Sequence, residues 1–265
     1  MPGRRDVGRT ECRNNRKPMG EFRKERSIRF ILSDRSKSSF QKYRDLTVGD
    51  AGFLRFLLYE LFALLLVPLP GALGIVLRRA FYQGFFKKCG KGLVVGRNCV
   101  FRHPSKISIG TDVTIDDMAL IDARGSEGSG VVLEDGVIIN RNTIVQSKGG
   151  DIMIGKSVSI GANSTVVSWG GIRIEEGAVI AGGCSISAGR FDYSELNRSI
   201  AEQEAYTTGP IVLGKNVWVA TGVTILDGVR IGEDSILSAG SVVTGNIPPQ
   251  TIASGNPAKA VFQRR

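Results

Sequence analysis

Hydrophobic residues recur at every sixth position between Ile211 and Val243. The aliphatic positions of this series are Leu213, Val219, Ile225, Ile231, Leu237 and Val243. A period of six is neither that of a helix nor that of a simple strand. If each unit is a short strand and a turn, three units close one triangular coil and stacked coils align the aliphatic side chains in columns. The pattern predicts an all-β solenoid, a left-handed parallel β-helix.

The same period extends back to Cys89 and divides into triplets. The inward positions are 89, 95, 101; 109, 115, 121; 133, 139, 145; 154, 160, 166; 174, 180, 186; 213, 219, 225; and 231, 237, 243. Steps between triplets are 8, 12, 9, 8, 27 and 6, so insertions occur only after every third unit. We therefore predict about seven coils over residues 89–247, stacked about 4.8 Å apart. The longest insertion, 187–210, is predicted to be an ordered binding loop.

The amino-terminal segment, residues 1–48, is polar and basic, with 14 Lys and Arg against 6 Asp and Glu. It holds most of the chain's formal charge of +10. This composition predicts a disordered, solvated tail, and attraction to an anionic surface is the alternative. No folded nucleic-acid-binding motif accompanies the charge, so no nucleic acid partner is expected.

An apolar segment follows at residues 49–88. Its uncharged run, Leu61–Leu77, is interrupted by Pro68 and Pro70 and is too short for a simple membrane span. It predicts a helical hairpin, and two roles stay open for it. Residues 51–88 could lie on the cytoplasmic membrane surface with Arg and Lys side chains at the headgroups, or the hairpin could cap the first coil.

The chain has four cysteines without a CxxC pair and one histidine, His103. Cys99 and Cys184 fall at the small inward position of their repeats, which predicts packing residues in a reducing cytosol. Pro248 and Pro249 are expected to end the solenoid, and residues 248–265 to form a carboxy-terminal tail.

Three stretches resemble the hexapeptide-repeat acyltransferases, and the resemblance covers about residues 89–265. They are VLGKNVWVATGVTIL from Val212, GSVVTGNIPP from Gly240 and ASGNPAKAV from Ala253. LPGALG from Leu69 and FRHPSKISIG from Phe101 resemble a branch of that superfamily associated with surface-glycan biosynthesis. The resemblance implies a homotrimer with acetyl-CoA bound between neighbouring prisms. It implies an acetyltransferase acting on a glycan or glycolipid precursor, cytoplasmic and peripheral at the inner membrane face.

The resemblance also implies site residues. The pantetheine arm of acetyl-CoA would run along Ala220, Gly222, Ser238 and Gly240, with Asn256 and Lys259 near its nucleotide end. Substrate binding is assigned to Tyr193, Tyr206, Thr208 and Trp218. Gly222 and Gly240 could instead serve only turn geometry. The related zinc-dependent carbonic anhydrases need three histidine ligands, which a single histidine per chain does not supply, so no metal is expected.

The long loop departs from the resemblance where a catalytic histidine is expected. The loop reads Phe191, Asp192, Tyr193 at that point. His103 lies four coils away, about 19 Å along the prism, so it is predicted to be a turn or capping residue. Two interpretations remain. Asp192 could act as the base, although a carboxylate is a weak base unless burial raises its pKa. Alternatively, the protein is a catalytically impaired homologue that acts as a binding or scaffold subunit.

Overall fold

The computed structural model describes residues 17–18, 28–49, 52–200, 202–203 and 205–264. Its main body is the predicted left-handed β-helix, with three parallel sheets forming the sides of a triangular prism. Three strands outside the prism form a separate small sheet: β1 (Lys17–Pro18), β17 (Arg190–Phe191) and β18 (Ala205–Thr207).

The strands of the prism follow one another around the three sheets. The first sheet contains β2 (Lys88–Cys89), β5 (Ile107–Ile109), β8 (Val131–Leu133), β11 (Ile152–Ile154), β14 (Ile172–Ile174), β19 (Ile211–Leu213) and β22 (Arg230–Ile231). The second contains β3 (Val94–Val95), β6 (Thr114–Ile115), β9 (Ile138–Ile139), β12 (Ser159–Ile160), β15 (Val179–Ile180), β20 (Trp218–Val219), β23 (Ile236–Leu237), β25 (Thr251–Gly255) and β26 (Ala258–Gln263). The third contains β4 (Val100–Arg102), β7 (Leu120–Asp122), β10 (Ile144–Ser147), β13 (Thr165–Ser168), β16 (Ser185–Ala188), β21 (Thr224–Ile225) and β24 (Val242–Val243).

The strand register confirms the predicted triplets. Each inward residue pairs with the inward residue of the next coil, as in the series Ile115, Ile139 and Ile160. All predicted inward positions are buried except Cys89, which is half-buried. Cys99 and Cys184 are buried beside the columns, as predicted, and burial raises the pKa of the Cys99 thiol to about 12.

The coiled structure continues one strand further than the prolines suggested. Pro248 and Pro249 are exposed in the turn that follows β24, where a missing N–H costs no ladder hydrogen bond. After this turn β25 stacks on β23 and places Ala253 on the second column, above Leu237. The expected tail is therefore a β-hairpin, β25–β26, that covers the last coil.

In the described part of the chain, four helices precede the prism: α1 (Ile28–Ser33), α2 (Ser39–Thr47), α3 (Phe53–Leu65) and α4 (Gly71–Gln83). The last two form the predicted hairpin and cover the open end of coil 1. The Tyr59 hydroxyl donates a hydrogen bond to the Phe101 carbonyl, and Arg78 Nε donates to the Val95 carbonyl at 3.0 Å. These carbonyls lie on the terminal edge of the sheets, so the hairpin satisfies backbone groups that lack a neighbouring coil.

Residues 28–49 differ from the predicted disordered tail, because they contain α1 and α2. A capping box begins α2, in which the Ser38 hydroxyl accepts from the Gln41 amide and the Gln41 side chain accepts from the Ser38 amide. Phe40 then packs edge-on against Phe56 of α3, with ring centroids 5.3 Å apart. Aromatic packing thus stabilises helices in a segment whose composition is mostly polar. Cys12 and most of the residues before 28 lie outside the described part of the chain.

His103 joins α2 to the prism. Its φ is 53°, in the left-handed region, and its amide donates to the Thr47 carbonyl at 2.8 Å. Its ring Nε2 lies 2.8 Å from the Asp45 carbonyl, to which it donates a hydrogen bond. His103 is therefore a turn residue, as predicted, that also holds the helical cap. Burial lowers the pKa of its imidazole.

The inward columns predict that neighbouring residues of one strand contribute very differently to the free energy of unfolding. Ile139 is fully buried and Ile138, beside it in β9, faces outward. We expect Ile139→Ala to lower the free energy of unfolding by about 2–5 kcal/mol because it leaves a cavity. Ile138→Ala, the matched control, should cost about 1 kcal/mol or less. Urea unfolding measures both, and equal losses would contradict the inward and outward assignment.

The buried His103 predicts a pH-dependent contribution to stability. Because its pKa is lower in the folded chain than the usual value of about 6.5, acid favours the unfolded chain. The contribution is present above about pH 6.5 and is lost as the pH falls towards the folded pKa. We expect the free energy of unfolding to fall less between pH 7 and 5 in His103→Gln than in the parent. If the free energy of unfolding changed equally with pH in the two proteins, His103 would not be the source of this pH dependence.

Candidate functional site

The corner between the second and third strands changes character along the prism. In coils 1 to 3 it carries charged side chains, including ion pairs of Arg97 with Asp117 at 3.1 Å and of Arg141 with Asp116 at 3.8 Å. In coils 5 to 7 the same corner contains only small residues: Ala181, Gly182, Gly183, Ala220, Thr221, Gly222, Ser238, Ala239 and Gly240. The upper half of this corner is therefore a smooth wall, and we call it the small-residue corner.

Two predicted cofactor-binding glycines, Gly222 and Gly240, lie in this wall with φ of 72° and 71°. A Cβ placed on either would meet no atom within 4 Å. Their positive φ accounts for glycine as a turn requirement, and the open space in front of them leaves room for a ligand. Backbone bonds keep the wall continuous, since the Gly240 amide donates to the Thr221 carbonyl at 2.9 Å.

Trp218 lies two residues before this corner on the outer face of the second sheet. Its side chain is 50% exposed and lies in register between Val179 and Ile236. A groove of about 290 Å³ beside it is also lined by Arg264. The Arg264 guanidinium donates to the Asp234 carbonyl at 3.1 Å, which holds a cation next to the indole.

The carboxy-terminal hairpin lies above the same corner. The Gly255 amide donates to the Ser241 hydroxyl at 3.2 Å, so the turn between β25 and β26 leans over coil 7. Asn256 lies in this turn and Lys259 pairs with Ser254 just after it, and both are exposed. The structure thus brings all six predicted cofactor residues to one corner. Their binding role stays a prediction.

The long insertion leaves the prism after the third strand of coil 5. Its ends form the antiparallel pair β17 and β18, and the side chain of Gln203 ties its tip by bonding the backbone of Glu195. Asp192 is half-buried, and one carboxylate oxygen accepts from the Ser194 amide at 2.9 Å. Tyr193 is 67% exposed, whereas Tyr206 is buried in the small sheet.

A buried carboxylate, Asp227, fastens the end of this loop. It accepts from the Thr207 hydroxyl at 2.8 Å, and from the Thr208 amide and hydroxyl at 2.6 and 2.8 Å. Arg190, at the start of the loop, lies 3.9 Å from the same carboxylate. Thr208, predicted to bind substrate, therefore uses both of its donors in holding the loop.

An aromatic contact supports the other end of the loop. The Trp169 ring lies against Gly189, where an added Cβ would come within 2.5 Å of it. Phe191 approaches the same ring edge-on at 6.3 Å, and Lys148 Nζ lies 5.5 Å from its centroid. Both ends of the loop are therefore held to the corner between the third and first strands.

The loop and the small-residue corner consequently belong to different corners of the triangle. Trp218 and the six predicted cofactor residues lie at the corner between the second and third strands, or beside it. The loop carrying Asp192 is anchored one corner further on. We call these two groups of predicted site residues half-sites, since one chain keeps them at different corners. Among the described residues, no group of three or more His, Cys, Asp or Glu is arranged to hold a metal ion.

Sequence reasoning missed Asp227, Arg190 and Arg264. The repeats identify inward positions, but Asp227 and its partner Thr207 are 20 residues apart and follow no common period. Arg264 belongs to the expected carboxy-terminal tail, but its position in the groove of Trp218 depends on the hairpin β25–β26. A charged residue next to a strand end is the only signal that the sequence offered for these contacts.

Comparison with known families adds independent evidence. The family model for bacterial transferase hexapeptide (six repeats) matches residues 210–245, and that for the hexapeptide repeat of succinyl-transferase matches residues 151–188. Galactoside O-acetyltransferase of Escherichia coli (strain K12) is 35% identical over 116 residues, 43% of this chain and 55% of the relative. A putative acetyltransferase of Staphylococcus aureus (strain Mu50) is 36% identical over 113 residues, with the same shares. The chain spans about half the length of the curated relatives it matches.

A solved structure supports the fold. A mutant of AntD, an N-acyltransferase from Bacillus cereus in complex with dTDP and coenzyme A, superposes with a TM-score of 0.51 at 21% identity. The match covers 71% of this chain and 89% of that one. The coil register and the two family models show that this chain is a left-handed β-helix whose residues 151–188 and 210–245 carry the hexapeptide repeats of bacterial transferases.

Proposed function

We propose that this protein is an acetyl-CoA-dependent O-acetyltransferase that acts on a glycan or glycolipid precursor. The observation that carries the proposal is the open small-residue corner beside Trp218, in a chain whose matched relatives are named acetyltransferases. Small residues over three consecutive coils serve no packing need of the prism interior, since they line its outer corner.

The shape and charge of this corner fit acetyl-CoA. A long, unbranched pantetheine arm needs a wall without protruding side chains, and coils 5 to 7 provide one at Ala220, Gly222, Ser238 and Gly240. Lys259, in the hairpin above, supplies positive charge suited to the phosphates of the nucleotide, and Arg264, already paired with the Asp234 carboxylate at 3.7 Å, adds a guanidinium in the groove of Trp218. Asn256 adds an exposed amide at the same turn.

The two half-sites support a homotrimer with parallel prisms. A neighbouring chain at the same height would place its small-residue corner against the loop of the first chain. Exposed aliphatic residues lie on the two faces that meet along this edge of the prism: Val94 and Val100 in coil 1, Ile138 and Ile144 in coil 3, and Val179 in coil 5. Aliphatic side chains in a row on a surface gain free energy when a subunit covers them.

The reaction requires an activated hydroxyl. The acceptor oxygen attacks the thioester carbonyl carbon, the carbon–sulfur bond breaks, and the hydroxyl proton passes to a base while the thiolate leaves. Asp192 is the carboxylate at the head of the loop that we assign as this base. Tyr193, exposed beside it, would contact the acceptor, and backbone N–H groups would stabilise the oxyanion.

The acceptor class and location follow from the apolar hairpin. No described helix is both long and apolar enough to cross a bilayer. The cap instead presents aliphatic side chains on α3 and α4, which favours a peripheral position at the inner face of the membrane. Glycan and glycolipid precursors assembled on lipid carriers are present at such a surface.

A second candidate function is a binding or scaffold subunit that has lost efficient transfer. It is favoured by the position of His103, the one histidine of the chain, which bonds the Asp45 carbonyl under the helical cap. This imidazole is four coils from the loop, so it cannot replace the missing base. The two functions differ in turnover and share acetyl-CoA binding.

Replacing Asp192 tests the proposed base. We expect Asp192→Asn to lower kcat about 10²- to 10⁴-fold with a small change in KM for acetyl-CoA, because the amide cannot take the proton. Glu195→Gln is the matched control, since Glu195 is an exposed carboxylate of the same loop paired with Arg198. Steady-state kinetics with a panel of sugar acceptors measures both variants.

The outcomes separate the candidates. Full activity in Asp192→Asn would remove this carboxylate from the mechanism. If the parent binds acetyl-CoA in calorimetry but turns over no acceptor, the scaffold function is favoured. If the parent does not bind acetyl-CoA at millimolar concentrations, both candidates fail.

Replacing Trp218 tests the cofactor corner. We expect Trp218→Ala to weaken acetyl-CoA binding about tenfold or more, since an exposed aromatic side chain in a ligand cleft contributes well over 1 kcal/mol. Met118→Ala removes an exposed apolar side chain from the same corner in coil 2, four coils from Trp218, and should change affinity less than about threefold. Calorimetric titration with coenzyme A measures both, and equal affinities in parent and Trp218→Ala would place the cofactor elsewhere.

A further inference from the structure

The outer face of the helical cap carries a contiguous apolar surface, which we call the leucine face. Its main members are Leu54, Leu57, Leu61 and Leu64 of α3 and Leu73 and Val76 of α4, each 51% to 72% exposed. The α3 members recur every three or four residues and so share one side of the helix. Exposed apolar patches of this extent on a folded domain mark an interaction surface.

The direction of the leucine face follows from the contacts on the opposite side of the helices. Tyr59 of α3 bonds the Phe101 carbonyl, and Arg78 and Tyr82 of α4 bond the carbonyls of Val95 and Cys99. These carbonyls belong to coil 1 and point away from coil 2. The residues of coil 1 that bond coil 2 are the ones that alternate with them, such as Val94 and Val100, whose amides donate to carbonyls of coil 2. The cap therefore lies across the end of the prism, and the leucine face points outward along its axis.

The charges around the leucine face match an anionic lipid surface. Arg79 is exposed within α4, and Lys87 and Lys88 are exposed where the chain passes from the cap into coil 1. Glu60 is the one acidic residue of residues 52–88, and it accepts a hydrogen bond from the Tyr43 hydroxyl. Leucines beside Lys and Arg, with hardly any opposing charge, suit acyl chains beside phosphate headgroups.

The lengths of α3 and α4 determine whether they could cross a bilayer or would lie along its surface. Each has 13 residues, or about 20 Å, which is shorter than the hydrocarbon core of a bilayer. The opposite side of each helix is committed to coil 1, so neither can turn to expose apolar residues all round. The arrangement fits helices lying in the plane of the interface.

We propose that the leucine face docks on an anionic phospholipid surface, so that the prism stands on end. Coil 6 would then lie five coil steps, about 24 Å, beyond coil 1, with a helix layer of about 10 Å below. The next step rests on the proposed function. The small-residue corner, where acetyl transfer would take place, lies about 30 Å above the lipid. The acceptor hydroxyl then belongs to an extended lipid-linked glycan, on a sugar several units from the lipid.

Vesicle sedimentation with the full chain tests the docking. The parent should bind vesicles of phosphatidylcholine with phosphatidylglycerol more tightly than vesicles of phosphatidylcholine alone. The double variant Leu57→Glu, Leu61→Glu should lose at least tenfold in affinity for both, since charged side chains replace exposed leucines. The double variant Lys87→Gln, Lys88→Gln should lose mainly the preference for the anionic vesicles. Leu196→Glu, an exposed leucine of the loop, is the matched control and should bind like the parent.

Docking on lipid would be overturned if the parent bound neither kind of vesicle, or if the double leucine variant bound as well as the parent. If that variant also had a lower molar mass in light scattering, this face would be a contact between copies of the chain. Thermal unfolding of each variant confirms that it folds.

The upright orientation has its own readout, which does not depend on activity. The two native tryptophans, Trp169 and Trp218, lie in coils 4 and 6, far from the cap. Brominated acyl chains should leave their fluorescence unchanged on vesicles, whereas Leu57→Trp should add a signal that is quenched. Quenching of the native tryptophans would show that the prism lies flat, against the proposal.

Acceptor length tests the distance from the lipid. Acetyl transfer on vesicles should be at least tenfold faster to a lipid-linked oligosaccharide than to the same lipid bearing one sugar. Equal rates with lipid docking intact would contradict the proposed height of the corner above the lipid, and would not count against the proposed function. No transfer to either acceptor, with docking intact, would count against the proposed function and leave the docking face supported.

Discussion

The register of the inward columns is the constraint on which the rest of the structure depends. Ile115, Ile139 and Ile160 lie directly on one another, and two similar columns occupy the other sheets. A shift of one residue would turn these side chains to solvent and their polar neighbours inward. Additions are therefore confined to corners, where they leave the register intact. The loop leaves the prism at a corner, and the cap and the terminal hairpin cover the two ends of the columns.

This constraint explains why the fold could be predicted from the sequence. Each six-residue unit encodes its own strand and turn, so the period alone yields the coils, the inward residues and the corner that accepts insertions. The contacts that sequence reasoning missed join residues without a shared period. His103 and Asp45 are 58 positions apart, and the helix α2 that they hold lies in a segment whose composition suggested disorder.

The candidate site was predictable only in part, and for a related reason. The resemblance supplied Ala220, Gly222, Ser238 and Gly240, and the coil geometry does bring them to one corner. The period also assigns the loop of Asp192 to another corner, but it could not show how the loop is held there, because that depends on the side chains of Asp227 and Trp169. The proposed site, divided between two corners, would be completed by a neighbouring prism in the proposed trimer, which the pattern of one chain does not describe.

The anchoring of the loop separates two tasks within the insertion. Arg190, Thr207 and Thr208 are committed to Asp227, and the tip between 192 and 203 makes its own contacts through Gln203. The tip can therefore change in sequence or length while its two stems stay fastened to the same carboxylate. Variation of about a dozen residues in this surface loop is thereby uncoupled from the register of the inward columns.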